Sequence, residues 1–180
     1  MNTKWSFDPS HTSLAFAVKH MGVFTVRGQF NKVSGTAEAD GDGRLTAIQA
    51  TIDAASIATG EPNRDGHLQS PDFLDAERYP QLTFSSTKIE AKDSGRYKVT
   101  GNLTIRDQTR PVTFEVETTG AMTDPWGNRR AGATVAAMIN RKDWGLTYNQ
   151  VLELGALLVG EEIRFSLDVE ALAQVQAEAA

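Results

Sequence analysis

The stretch Tyr97-Lys98-Val99-Thr100-Gly101-Asn102-Leu103-Thr104-Ile105, then Arg106-Asp107-Gln108-Thr109, then Val112-Thr113-Phe114-Glu115-Val116, consists of two alternating runs around a short polar break. Successive side chains of a strand point to opposite faces. A period of two therefore places Tyr97, Val99, Gly101, Leu103 and Ile105 on one face and Lys98, Thr100, Asn102 and Thr104 on the other. The break supplies the residue types of a tight connection, so the two runs predict neighbouring strands.

The same pattern extends outward through most of the 180 residues. Trp5 alternates with Phe7, Asp8-Pro9-Ser10 reads as a turn, and Leu14, Phe16 and Val18 alternate with Ala15, Ala17 and Lys19. A second strand region runs from about Arg27 to Ala39. It meets Leu45, Ile48, Ala50 and Ile52 across Asp40-Gly41-Asp42-Gly43, which predicts a hairpin. Leu82 and Phe84 precede the quoted stretch; Ala131, Ala133, Val135, Ala137 and Ile139, then Ile163, Phe165, Leu167 and Val169, follow it. With the turns Lys92-Asp93-Ser94-Gly95 and Thr123-Asp124-Pro125-Trp126-Gly127-Asn128 between runs, the pattern counts about eight strands. Between 54 and 80 the alternation stops, and 59–68 predicts turns with a short helical segment. A non-strand segment of that length is either a structural crossover or a binding loop.

Sequential antiparallel strands lose their exposed edges by closing into a barrel, the expected all-β architecture. A two-sheet sandwich is the alternative, because alternation is the same in both. Small residues at Ala131, Ala133, Ala137 and Gly101 leave space along the inward face, which favours a cavity. One domain is expected over residues 1–172, with the Ala-rich end 173–180 a frayed or disordered tail.

Composition narrows function by exclusion. A hydrophobic fraction of 40% with 23% charged residues is that of a folded globular chain. A net charge of −5 without a Lys/Arg run disfavours nucleic acid. The absence of Cys removes thiol nucleophiles, thiolate metal sites and disulfides. No stretch is apolar and long enough for a signal peptide or an integral membrane segment, so a cytoplasmic chain is expected, or a periplasmic one whose signal has been removed. There is no nucleophile elbow and no phosphate-cradling glycine loop, so neither an enzyme nor a cofactor is expected. His11, His20 and His67 equal the ligand number of a catalytic zinc, but their spacing matches no metal motif and no metal site is expected. Arg64 and Asp65 with His67, and Asn140-Arg141-Lys142-Asp143, are candidate head-group sites for a ligand. The alternative is an ion-pair network that ties loops to the barrel rim.

Seven motifs carry a further signal: Phe7-Asp8-Pro9-Ser10-His11-Thr12-Ser13, Val18-Lys19-His20-Met21-Gly22-Val23, Arg64-Asp65-Gly66-His67-Leu68, Asp72-Phe73-Leu74-Asp75, Tyr79-Pro80, Gly101-Asn102-Leu103-Thr104-Ile105-Arg106 and Asn140-Arg141-Lys142-Asp143-Trp144-Gly145. In this order, from about Trp5 to Val169, the chain resembles the YceI-like family. The resemblance implies an eight-stranded antiparallel lipocalin-like barrel with a long internal hydrophobic cavity. It implies binding, carriage or storage of a polyisoprenoid or similar amphiphilic lipid, with isoprenoid quinones, prenyl lipids and fatty acids or amides as candidate ligands and homodimers in some members. An enzyme acting on such a lipid is the alternative. Ligand contacts are then expected from Phe16, Phe84, Leu103, Ile105, Phe114, Val135 and Ile139 along the wall, and from His20, Arg64, Asp65, His67, Asn140, Arg141 and Trp144 near the mouth. The chain departs from the family at Asp107, where Gly is usual, and at Trp144, where Phe or Tyr is commoner; a Trp144 pointing inward would shorten the cavity.

Overall fold

The computed structural model describes residues 2–174. Its strands are β1 (Thr3–His20), β2 (Phe24–Phe30), β3 (Val33–Ala39), β4 (Leu45–Asp53), β5 (Ile57–Ala58), β6 (Gln81–Asp93), β7 (Arg96–Ile105), β8 (Gln108–Thr118), β9 (Met122–Thr123), β10 (Arg129–Asn140) and β11 (Val159–Ala173), with one helix, α1 (Pro62–Gln69). Antiparallel pairing runs β1, β3, β4, β6, β7, β8, β10, β11 and back to β1. The closing seam extends from Trp5 opposite Ala173 to His20 opposite Val159. The sheet is therefore a closed eight-stranded barrel, and the sandwich alternative is set aside.

Two strand boundaries differ from the sequence pattern. The Asp8-Pro9-Ser10 segment is not a turn between strands. β1 continues through it, and the pairing with β11 shifts register between Phe7 and Thr12. A bulge there accommodates Pro9, which has no N–H for the ladder. At 18 residues β1 is about 60 Å long, more than one partner covers on its other side. Its first residues pair with β3 and its last with β2. The single run expected over Arg27–Ala39 is accordingly bent at Asn31 and Lys32, whose backbone N–H groups turn to the carbonyl and hydroxyl of Ser56.

The hairpin of β3 and β4 closes on Asp40, whose Oδ1 accepts from the N–H of Asp42 and of Arg44, while Gly43 adopts φ 79°. The 54–80 segment carries a 3-10 turn and then α1, with Pro62 at its start and the Glu61 carboxylate accepting from the N–H of Asn63 and Arg64. At the other terminus the expected tail begins too early. Ala173 still pairs with Trp5, and Gln174 donates its N–H to Lys4 O at 2.7 Å. The rest of that tail, 175–180, lies outside the described residues.

The barrel's two ends differ. One end, here the far end, carries both chain termini of the barrel and the shorter turns. It is closed by buried Trp5, Ala39 and Ala171. Just outside, the Arg130 guanidinium binds Asp124 at 2.7 Å, Asp8 at 3.1 Å and Glu170, and so ties the β1 bulge to β10 and β11. The other, the crossover end, carries the 54–80 segment and the 141–158 connection, which place Phe73, Leu74, Trp144 and Leu146 over the barrel as buried residues.

Candidate binding site in the barrel lumen

Inward-facing residues of a packed barrel interlock and lose nearly all exposure. Here Val99 alone reaches zero among the large inward side chains, whereas Phe16, Phe84, Phe114, Val135, Ile139 and Phe165 stay half-buried although the sheet encloses them. The reason is an open lumen of about 230 Å³. That exceeds the roughly 150 Å³ apolar cavity that stays dry and accepts benzene. Its wall is apolar throughout except for Arg141, the one polar residue lining it among those described.

Aromatic rings shape the lumen. Phe84, Phe114 and Phe165 form a tilted and then edge-to-face series, with centroids 5.4 and 5.5 Å apart. The Phe84 ring reaches over Gly101, where a Cβ would stand 2.4 Å from its Cζ and 2.5 Å from the Ser85 carbonyl oxygen. Gly101 therefore gives its space to the Phe84 ring rather than to the lumen, contrary to the reading of small residues as simple room-makers. Ala131 and Ala133 likewise pack into the far-end and neighbouring clusters.

Arg141 begins a 3-10 turn that ends β10, where the Asn140 carboxamide oxygen accepts from the Lys142 N–H and Gly145 adopts φ 73°. The Arg141 side chain is 4% exposed. Its Nε donates to Gly160 O at 2.8 Å, Nη1 to Leu146 O at 2.5 Å and Nη2 to Val159 O at 3.3 Å. No carboxylate pairs with it among the described residues; Glu161 acts only through space and is itself held by Lys142 at 2.9 Å. Burial lowers the guanidinium's pKa, yet Arg stays charged. Three of its five N–H groups are used, so one on each of Nη1 and Nη2 remains for a ligand oxygen.

Among the wall residues expected from sequence, Phe16, Phe84, Leu103, Ile105, Phe114, Val135 and Ile139 line the lumen, as does Arg141. The remaining residues expected at the mouth do not. His20 ends β1 opposite Phe24. Arg64 turns back to Thr59, with Nε 2.7 Å from its Oγ1, and Asp65 accepts from the Thr59 N–H at 2.8 Å, so this pair ties a loop down. His67 pairs with Asp72 at 2.8 Å and stacks edge-on against Phe73 and Tyr148, one layer behind the wall. Asn140 caps the 3-10 turn. Trp144 is buried but outside the lumen wall; its Nε1 donates to Leu103 O at 2.9 Å, so it does not shorten the cavity. At the other departure, Asp107 needs no glycine because the positive φ of that turn falls on Arg106, at 57°.

Sequence reasoning missed Leu68, Phe73, Leu74 and Leu146, which reach the lumen from the connections. No periodicity marks them. It also left out Phe7, Phe30, Ile48 and Ile163, which strand alternation could have assigned to the inner face.

The histidines do not converge. His11 and His20 lie on one strand about 30 Å apart by strand rise, which rules out a three-histidine zinc. His11 instead joins Asp8 and Glu170 near the far end, a set with three ligand atoms within 4.8 Å of one another. The Arg130 guanidinium already bonds both carboxylates of that set. Hydrogen bonds from His11, from the Ser10 N–H and from Arg130 hold the Asp8 carboxyl down at about 2, and Arg130 holds Asp124 well below the usual carboxylate range. The arrangement is a cross-strand ion clasp.

A closed antiparallel barrel around an apolar lumen with one buried cation in its wall defines the class: a lipocalin-like barrel. Residues 5–171 match the YceI-like domain, and the chain belongs to that family. It is 36% identical over 170 residues to the UPF0312 protein SA2479 of Staphylococcus aureus strain N315, covering 93% of this chain and 96% of that relative. Among solved structures it is similar to BcnA of Burkholderia cenocepacia, with a TM-score of 0.79 at 23% identity over 91% of this chain and 98% of the other. The Campylobacter jejuni YCEI protein gives 0.75 at 29% identity, covering 87% and 90%. A domain of Saccharophagus degradans described as polyisoprenoid-binding gives 0.70 at 14% identity, covering 94% and 98%.

Proposed function

We propose that this protein binds a long-chain isoprenoid, or an amphiphilic lipid of similar shape, in its lumen and carries or stores it without chemical change. The observation behind this reading is the wall, apolar at every described position except Arg141. Such a wall offers a hydrocarbon chain about 0.8 kcal/mol per methylene removed from water but no general acid, base or nucleophile to act on it. The structural likeness to a polyisoprenoid-binding domain supports the same choice. Arg141 then receives the head group. Its two unused N–H groups suit a carboxylate, phosphate or quinone oxygen. Orientation follows: head at the crossover end beside Arg141, chain running toward Phe7 and Val99.

The experiment is native mass spectrometry of protein purified without detergent, followed by organic extraction and lipid identification. A stoichiometric long-chain lipid is expected. Protein that is ligand-free and also refuses added quinones, prenyl lipids and fatty acids would overturn the reading.

A further inference from the structure

The 141–158 connection has two faces. Arg141 and Leu146 line the lumen, and Trp144 is buried beside them against Leu103 O. Beyond them the chain doubles back as a small hairpin, with Leu158 N–H on Gln150 O at 2.9 Å and Leu152 N–H on Ala156 O at 2.7 Å. Leu154 stands at its tip with φ 63°, a left-handed conformation that bulky side chains rarely adopt. It is fully exposed, and Val151 and Leu157 on the hairpin legs are exposed as well. The Met21 N–H donates to Leu158 O at 2.9 Å and so joins this hairpin to the turn after β1, where Met21, Val23 and Phe24 are exposed too. Six large apolar side chains thus gather on two linked loops at one end of the barrel. Single exposed apolar residues are ordinary; a contiguous group marks an interaction surface.

The patch adjoins the lumen. Val159, next to Leu158, and Val18, three residues before Met21, both line it. Charge around the patch is balanced: Lys19 and Glu153 are both exposed, and Lys142 is neutralised by Glu161. We propose that this end of the barrel docks on a lipid bilayer, with Phe24 and Leu154 inserted at the headgroup level. A water-insoluble ligand then passes between bilayer and lumen without crossing water. The inference rests on the lipid-binding reading above. A bilayer fits because Leu154, Met21 and Val23 stand in exposed turns at the end of the lumen, and because an apolar cargo of the kind proposed for it resides in membranes. With balanced local charge the attraction is apolar, so it shows little dependence on salt or on anionic lipid.

The test is flotation with vesicles of pure phosphatidylcholine and with vesicles containing phosphatidylglycerol, for the wild type, Phe24→Ser, Leu154→Asp and, as a control, Trp126→Ser at the exposed far-end turn. Phe24→Ser and Leu154→Asp are each expected to cut vesicle binding about tenfold, because each withdraws one buried large apolar side chain. Trp126→Ser is expected to leave it within about twofold, and both vesicle types to bind alike. In parallel, retention of a fluorescent polyene fatty acid is measured in solution without vesicles and is expected to be unchanged in all three variants. No vesicle binding by a wild type that retains the probe overturns docking alone, as does equal loss in Trp126→Ser. A dimer that Leu154→Asp dissociates would assign the patch to a second copy of the chain and overturn docking too. A wild type that floats with vesicles but retains no probe overturns the lumen reading on which the proposal stands.

Discussion

Replacing Arg141 by Met separates the two tasks assigned to the lumen. The guanidinium is 4% exposed and donates to the carbonyls of Gly160, Leu146 and Val159. Met fills much the same volume with no donors. Leu146 O, which is buried, and Gly160 O, which is partly so, then lose a charged donor at about 1–3 kcal/mol for each group left unsatisfied, whereas Val159 O keeps the Asn149 carboxamide at 2.7 Å. Removing an unpaired buried charge offsets part of that cost. The net is a destabilisation of about 2–4 kcal/mol, or a melting temperature lower by roughly 4–16 °C at this chain length. For the ligand, two hydrogen bonds from a charged group at about 1.5–3 kcal/mol each are lost, less what water restores, so a carboxylate-headed chain is expected to bind roughly 10–100-fold more weakly. An alkane of the same length has no head to lose and is expected to change by less than about threefold. The assay is competitive displacement of a lumen-bound fluorophore by a fatty acid and by its parent alkane, at a temperature where both proteins are folded. Arg141→Lys keeps the charge without the planar fork and is expected to fall between the two. Equal weakening for acid and alkane would refute the head-group assignment and leave Arg141 as a staple of the connection.

Two further outcomes follow from the frame. Gly101→Ala drives a Cβ against the Phe84 ring and the Ser85 carbonyl, and backbone cannot yield as a side-chain tip can, so a loss of about 1–3 kcal/mol in chemical denaturation is expected; Gly120→Ala, with nothing within 4 Å of the new Cβ, is the control expected to stay within about 0.5 kcal/mol. The Asp8 carboxyl titrates at about 2 in the fold against roughly 3.9 unfolded, so its stabilisation is complete above about pH 4 and lost as pH falls toward 2. Asp8→Asn is therefore expected to flatten the fall of melting temperature in that window and to lower stability at pH 7, and an unchanged acid profile would show that the clasp does not control it.

Much of this barrel was legible because alternation is a local property. Each strand must bury one face whatever its partner, so Phe16, Leu103, Phe114 and Val135 could be placed on the inner wall from their parity alone. The ordered motifs from Phe7 to Gly145 pointed to the family independently of that parity. The polar groups were not legible in the same way. Arg64 and Arg141 look alike in sequence, both cationic within a polar cluster, yet Arg64 folds back on Thr59 while Arg141 enters the lumen wall. Which of them does so depends on the path of the connections.

By itself the sequence determined that most of the chain is alternating strand, that side chains such as Phe16, Leu103 and Phe114 face inward and that there is no cysteine thiol, since these depend on residue type and a spacing of two. The tertiary structure alone decided closure at the β1–β11 seam, the burial of Leu68, Phe73, Leu74 and Leu146 from segments without periodicity, and the isolation of Arg141 among carbonyls. Closure pairs residues from opposite ends of the chain, such as Phe7 with Ala171 and His20 with Val159, and no local pattern encodes such a pairing.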